Sequence, residues 1–135
     1  MLKLKTSKNP TYDLLMRAYT KTEVGYRIRL LRNSCEETQA GMANRLSSKH
    51  NTINQYENAA SLPSVEMEVR LKAVYGVTID WIRFGDVSGL KPDLIQRLEH
   101  AKLMIGDHRP EPRPADSAKR VKSMDAPIRR TKSKK

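Results

Sequence analysis

The sequence predicts an all-α protein: short helices around one core, with polar, basic ends outside it. Three observations predict this. From Thr20 to Ile105 apolar residues recur at helical intervals between capping residues and glycine or proline stops. No stretch alternates apolar and polar residues as a half-buried strand would. At Gly106 the composition changes, and the remainder holds four of the seven prolines and almost no large apolar side chains. A length of 135 residues with 38% hydrophobic content suits one domain with part of the chain left outside the core.

Residues 1–19 are polar and basic around "NPTYDLLMR", offer few apolar residues for docking, and are read as an N-terminal arm. Thr20 and Glu23 stand at capping-box spacing, and Val24, Ile28 and Leu31 follow at helical intervals, so the first core helix is expected over roughly Lys21 to Asn33. Thr38 is a natural N-cap for "QAGMANRL", in which Met42, Ala43 and Leu46 form the buried stripe. Ser34 and Glu37 make a competing capping box that would start this helix a turn early. Pro63 and Ser64 punctuate the chain before "VEMEVRLKAVY", which stops at Gly76. Thr78 caps "IDWIRF", closed by Gly85; Trp81 there reads as core rather than as a ligand contact. After Pro92, "DLIQRLEHAKLMI" carries Leu94, Ile95, Leu98 and Ile105 along one face. The expected organisation is an arm over 1–19, a folded domain over 20–86, an additional helix within 87–105, and a disordered basic tail over 106–135, where ten lysines and arginines face four acids.

A formal net charge of +11 and a pI near 10 favour a polyanionic partner such as nucleic acid, although charge alone does not separate DNA, RNA and anionic membrane. The lone Cys35 excludes an internal disulfide framework and a cysteine-rich zinc site, which fits a reducing cytosol. No apolar run reaches the length of a membrane span, and "MLKLKTSK" lacks the apolar core of a secretory signal, so a cytoplasmic location is expected. His50, His100 and His108 have no metal-ligand spacing with one another or with Cys35, and no glycine-rich phosphate loop or evident carboxylate pair is present. Cys35 lies near a proposed helix start, but the sequence places no histidine beside it to activate the thiol. The expectation is a non-enzyme with no metal and no cofactor.

The stretch "HNTINQYEN", His50 to Asn58, then stands out. At about 100° per residue, a helix here gathers His50, Asn51, Asn54, Gln55 and Asn58 within an arc of roughly 140° and leaves Ile53 and Tyr56 behind. A merely solvated helix would favour Lys, Glu and Arg, which are better helix formers than Asn. A carboxamide presents a donor and an acceptor together, which matches N6 and N7 of adenine in the major groove. Amide-rich helices also arise without any such role, so the neighbourhood matters.

That neighbourhood is "QAGMANRLSSKHNTINQYENA": a short helix, a tight turn and a second helix, with the small Ala43 where the two would approach. It resembles the family of phage repressor and Cro-type helix-turn-helix proteins, the XRE type. The matching features are Gln39 opening the first helix, Met42 and Ala43, Leu46 before the turn, Ile53, and "YEN" at Tyr56 to Asn58; "LPS" at 62–64 and "YGVTIDWIRFGD" at 75–86 look like later helices of the family. The likeness spans about residues 24–86, with the motif at 39–58. It implies a five-helix, repressor-like domain of bacterial or phage type whose second motif helix enters the major groove while the first crosses the backbone. Carried over position by position, it makes His50, Asn51, Asn54 and Gln55 base readers, and Gln39, Lys49, Asn58 and Thr38 phosphate contacts. Glu57, which would repel phosphate, turns inward to a structural ion pair with Arg32.

Departures from the pattern are specific. Ser47 and Ala59 stand where glycine is usual, so Ser47 must accept a left-handed conformation at roughly 1 kcal/mol. Glu68 and Lys72 occupy normally apolar or small positions and are expected to pair on the surface at i, i+4. The implied function is sequence-specific binding of double-stranded DNA by a transcriptional regulator, with a homodimer expected; Leu94, Ile95, Leu98 and Ile105 are either its contact or the closing face of the core. Two other readings stand beside it: an antitoxin or adaptor that uses the fold to hold another protein, and non-specific nucleic-acid binding through "PIRRTKSKK".

Overall fold

The computed structural model describes residues 9–112, which form seven α-helices and no strand: α1 (Pro10–Ala18), α2 (Lys21–Ser34), α3 (Gln39–Arg45), α4 (His50–Glu57), α5 (Val65–Tyr75), α6 (Ile79–Phe84) and α7 (Pro92–Ile105). Residues 1–8 and most of the expected tail, 113–135, lie outside the described residues.

Helix starts follow local chemistry. The hydroxyls of Thr20, Thr38, Ser64 and Thr78 accept from the backbone N–H groups of Glu23, Gly41, Met67 and Trp81, so each opens its helix where a cap was expected. The Ser34 box is not used; Ser34 Oγ donates to Leu31 O at 2.7 Å and closes α2 instead. Helices α5 and α6 end on left-handed Gly76 and Gly85. Helices α2, α3 and α4 use the same kind of ending without glycine: Glu36, Ser47 and Ala59 have φ of 56°, 54° and 61°. In each, the next residue reaches back five positions, from Glu37, Ser48 and Ala60 to the carbonyls of Arg32, Ala43 and Gln55.

Helix α2 is the centre of the bundle and packs on α4, α6 and α7. Val24, Ile28 and Leu31 meet Met42, Leu46, Ile53, Leu71, Trp81 and Ile82 in the core. Three charged side chains are buried among the described residues, Arg27, Glu57 and Glu68, and the first of them has no carboxylate hydrogen-bonded to it. Arg27 is 8% exposed and donates to three main-chain carbonyls, Ile82 O at 2.8 Å, Arg83 O at 3.1 Å and Ala18 O at 3.0 Å. Burial pushes its guanidinium down to about 10, so it remains charged at neutral pH.

Three expectations are corrected and one open alternative is decided. Much of the arm is a helix, started by Asn9 and Pro10; none of α1 is buried, and it is held at its C-terminal end by Arg27 and by Tyr19, which meets Phe84 edge-to-face and lies under the Arg83 guanidinium. Glu68 does not pair with Lys72. It is 1% exposed and accepts both guanidinium N–H groups of Arg83 at 2.8 Å, because its face of α5 looks toward α6 while Lys72 looks outward. Leu94 and Leu98 are buried with Ala101 against α2, and Ile95 and Ile105 pack on the same cluster. The stripe therefore closes the core and is not a surface for a second copy. Finally, the tail does not leave the domain at Gly106. Tyr26 Oη donates to Gly106 O at 2.7 Å, and Arg109 lies 3.6 Å over the Tyr26 ring while pairing with Glu23 at 3.2 Å, so residues 106–112 lie back along α2.

Candidate nucleic-acid interface

Helices α3 and α4 pack on each other and are joined by Leu46–Lys49. The link is tight because Ser47 adopts the left-handed conformation and Ser48 N–H reaches Ala43 O at 2.8 Å. It is also clamped from outside, since Arg70 of α5 donates to Leu46 O at 2.9 Å and Ser47 O at 3.1 Å. Two carbonyls of the link are thereby satisfied and the angle into α4 is held.

Helix α4 is anchored by one face. Ile53 is 0% exposed and Tyr56 is 6% exposed, and burial raises the Tyr56 phenol. The anchoring extends to the backbone: a Cβ on Gly25 would lie 2.1 Å from Tyr56 O, so α2 and α4 cross in main-chain contact that only glycine permits. Sequence reasoning missed Gly25. Its signal was available, since an isolated glycine inside a helical pattern usually has a packing reason. No comparable signal marks Arg70.

The opposite face of α4 meets solvent. Lys49, His50, Asn51 and Gln55 are exposed together, as is Thr38 at the start of α3. Gln39, Asn54 and Asn58 are half-buried and linked side chain to side chain: Asn58 Nδ2 donates to Asn54 Oδ1 at 2.6 Å, Asn54 Nδ2 to Gln39 Oε1 at 3.1 Å, and Gln39 Nε2 to Glu57 Oε1 at 3.1 Å. Glu57 is buried and receives Arg32 bidentately, at 2.7 and 2.9 Å, the inward pairing expected from the sequence. Its hydrogen bond and charge raise the Arg32 guanidinium further above its ordinary value.

The sequence-derived site residues thus fall into two groups. His50, Asn51, Gln55 and Lys49 stand free on the surface, whereas Gln39, Asn54 and Asn58 form a chain that begins at an ion pair. The remaining cation of α3, Arg45, is engaged by Glu37 and lies 4.7 Å over the Tyr75 ring. Glu37 also receives the Tyr75 hydroxyl, and burial together with that bond raises the Tyr75 pKa. Among the described residues no group of three or more His, Cys, Asp or Glu could hold a metal ion, and no helix is long and apolar enough to cross a membrane. Comparison with family models, with curated proteins and with solved structures finds no match for the chain.

Proposed function

We propose that this chain is a cytoplasmic, sequence-specific double-stranded DNA-binding protein, a repressor-like transcriptional regulator whose α2–α6 form the five-helix domain. Helices α3 and α4 act as the helix-turn-helix, with α4 in the major groove. The observation that carries this reading is the face of α4: an imidazole and two free carboxamides, His50, Asn51 and Gln55, project into solvent from a helix pinned behind by Ile53 and Tyr56. Neutral donor and acceptor groups on a rigid rod suit base edges. Lys49 beside them suits a phosphate, and the net charge of +11 supplies non-specific attraction.

One such helix covers few base pairs, so the reading includes a homodimer that sets two copies about 34 Å apart along the duplex. Its contact lies outside the α7 stripe, which is spent internally. The test is selection of bound duplexes from random DNA, followed by anisotropy titration. Gln55→Ala is expected to cost about 1–3 kcal/mol on the selected site and to relax one base position, whereas Lys49→Ala weakens all sequences alike. A selection that enriches no sequence would end the proposal.

The adaptor or antitoxin reading has one observation of its own. On α1, Tyr12, Leu15 and Met16 form an apolar stripe at i, i+3, i+4 that is 56%, 40% and 48% exposed. Such a stripe suits a protein surface better than a DNA backbone. Retention of full DNA affinity in a Leu15→Glu, Met16→Glu variant that loses a co-purifying protein would favour that reading.

A further inference from the structure

We infer that Asn54, despite lying on the outward arc of α4, is a phosphate-side positioning residue, and that the Arg32–Glu57 ion pair dictates this by setting the direction of an amide chain. The inference rests on the DNA-binding reading and assigns roles within its site.

The direction follows from which groups can donate. A carboxylate only accepts, so Gln39 must turn its NH2 group toward Glu57, which it meets at 3.1 Å. That leaves Gln39 Oε1 facing Asn54, which must in turn present its own nitrogen, at 3.1 Å. Asn54 Oδ1 is then the acceptor left for Asn58 Nδ2, at 2.6 Å. Reversing any one amide would set nitrogen against nitrogen or oxygen against oxygen. Arg32 donates to both oxygens of Glu57 and fixes them, so the whole sequence of donors has its origin in a buried ion pair.

Each nitrogen in the chain has two hydrogens and uses one of them within it. Gln39, Asn54 and Asn58 therefore each keep one N–H, while the oxygens of Gln39 and Asn54 each give one of their two lone pairs to the chain. The Asn54 amide is consequently held at both its nitrogen and its oxygen and cannot turn its edge to adenine without breaking the chain, whereas Asn51 and Gln55, outside the chain, are free to do so. A row of single donors, half-buried where α3 and α4 meet and set back from the exposed Asn51 and Gln55, matches a phosphate oxygen, which only accepts. The division explains why amides at adjacent positions on one short helix differ in exposure: Asn51 and Gln55 are exposed, while Asn54 and Asn58 are half-buried. Asn54 thus belongs with Gln39 and Asn58, and the base-reading set contracts to His50, Asn51 and Gln55.

The test uses full-length protein, its selected duplex, and the set of duplexes that differ from it by one base pair. Asn54→Ala removes an exposed-side amide without touching the core, and its folding is checked by thermal melting. It is expected to weaken binding about three- to tenfold on every duplex, leaving the pattern of base preference unchanged. Gln55→Ala in the same assay should change preference at one position. Methylphosphonate is then placed at one backbone site after another in the selected duplex. The Asn54→Ala loss should vanish when the contacted phosphate is the one neutralised and persist elsewhere. Wild-type selectivity together with an altered base preference in Asn54→Ala overturns the role, as does an Asn54→Ala protein that binds like wild type. Absence of selective binding by the wild type would instead overturn the DNA-binding reading, and this role with it.

Discussion

Replacing Gly25 with alanine should separate α4 from the core. The added Cβ would lie 2.1 Å from Tyr56 O and 3.2 Å from Tyr56 C. The obstacle is main chain and cannot rotate away, so α4 must retreat by about 1 Å from α2 to reach ordinary contact, and a gap of that size forfeits roughly a quarter to a half of the dispersion energy across it. The atoms behind that gap are Ile53 and Tyr56, both buried, and the retreat also lengthens the Arg32–Glu57 bonds of 2.7 and 2.9 Å. Overpacking ordinarily costs about 1–3 kcal/mol, and a backbone clash belongs at or above the top of that range. The gain in helix propensity from Gly to Ala returns at most about 1 kcal/mol. For a domain near 100 residues a net loss of about 2–3 kcal/mol lowers Tm on the order of 15 °C. Thermal melting followed by circular dichroism and urea denaturation would measure it. A Gly25→Ala protein within about 0.5 kcal/mol of wild type would refute the close crossing of α2 and α4, and with it the account of how α4 is aimed.

Three other substitutions probe separate features. Arg27→Met leaves the carbonyls of Ala18, Ile82 and Arg83 without their donor, so α1 should lose amide-exchange protection before the core does, at a cost of about 1–3 kcal/mol; equal protection in both proteins would contradict the clamp. Leu98→Ala should cost about 2–5 kcal/mol independently of protein concentration, because Leu98 is 4% exposed within one chain; a loss that shrinks as concentration rises would point to an interface between copies. Ser47→Gly should stabilise by about 1 kcal/mol, since φ is 54° and the side chain is exposed; a lower Tm would mean that the hydroxyl has a role its position does not suggest.

What the sequence made legible was chiefly local. Thr20, Thr38, Ser64 and Thr78 marked helix starts because a side-chain cap depends only on residues within one turn, and Gly76 and Gly85 marked ends for the same reason. The two faces of α4 were legible too, because helical periodicity alone places Ile53 and Tyr56 opposite His50, Asn51 and Gln55. Pairing across the fold failed wherever the family resemblance did not supply it, as it did for Arg32 with Glu57. Glu68 looks equally able to meet Lys72 four residues on or Arg83 fifteen residues on, and only the packing of α5 on α6 decides between them. The stripe of α7 could serve a second copy or the chain's own core, since periodicity gives a face but not its occupant. Arg109 reaching Tyr26 and Glu23 was invisible for a related reason: a proline-rich basic segment carries no signal for one cation that folds back.

The chemistry of the candidate interface then has a physical reason to be neutral. With a net charge of +11, the chain has no shortage of cations to attract a polyanion, and a lysine on the outer arc of α4 would add attraction that every sequence enjoys equally. Discrimination needs groups whose energy changes sign with the partner's pattern of donors and acceptors, and a carboxamide whose two ends are both free does this. Leaving those ends free creates a second requirement, because an unconstrained amide can rotate to suit a wrong base. The fold meets it unevenly. At Asn54 the orientation is fixed by hydrogen bonds descending from Glu57, so the amide cannot turn to follow a partner. At Asn51 and Gln55 both ends remain available, so their precision depends on how rigidly α4 is held: by Gly25 against Tyr56, by Arg70 on the turn, and by Ile53 in the core. Loosening α4 should therefore erode the ratio between right and wrong sites, beyond any loss of affinity common to all of them.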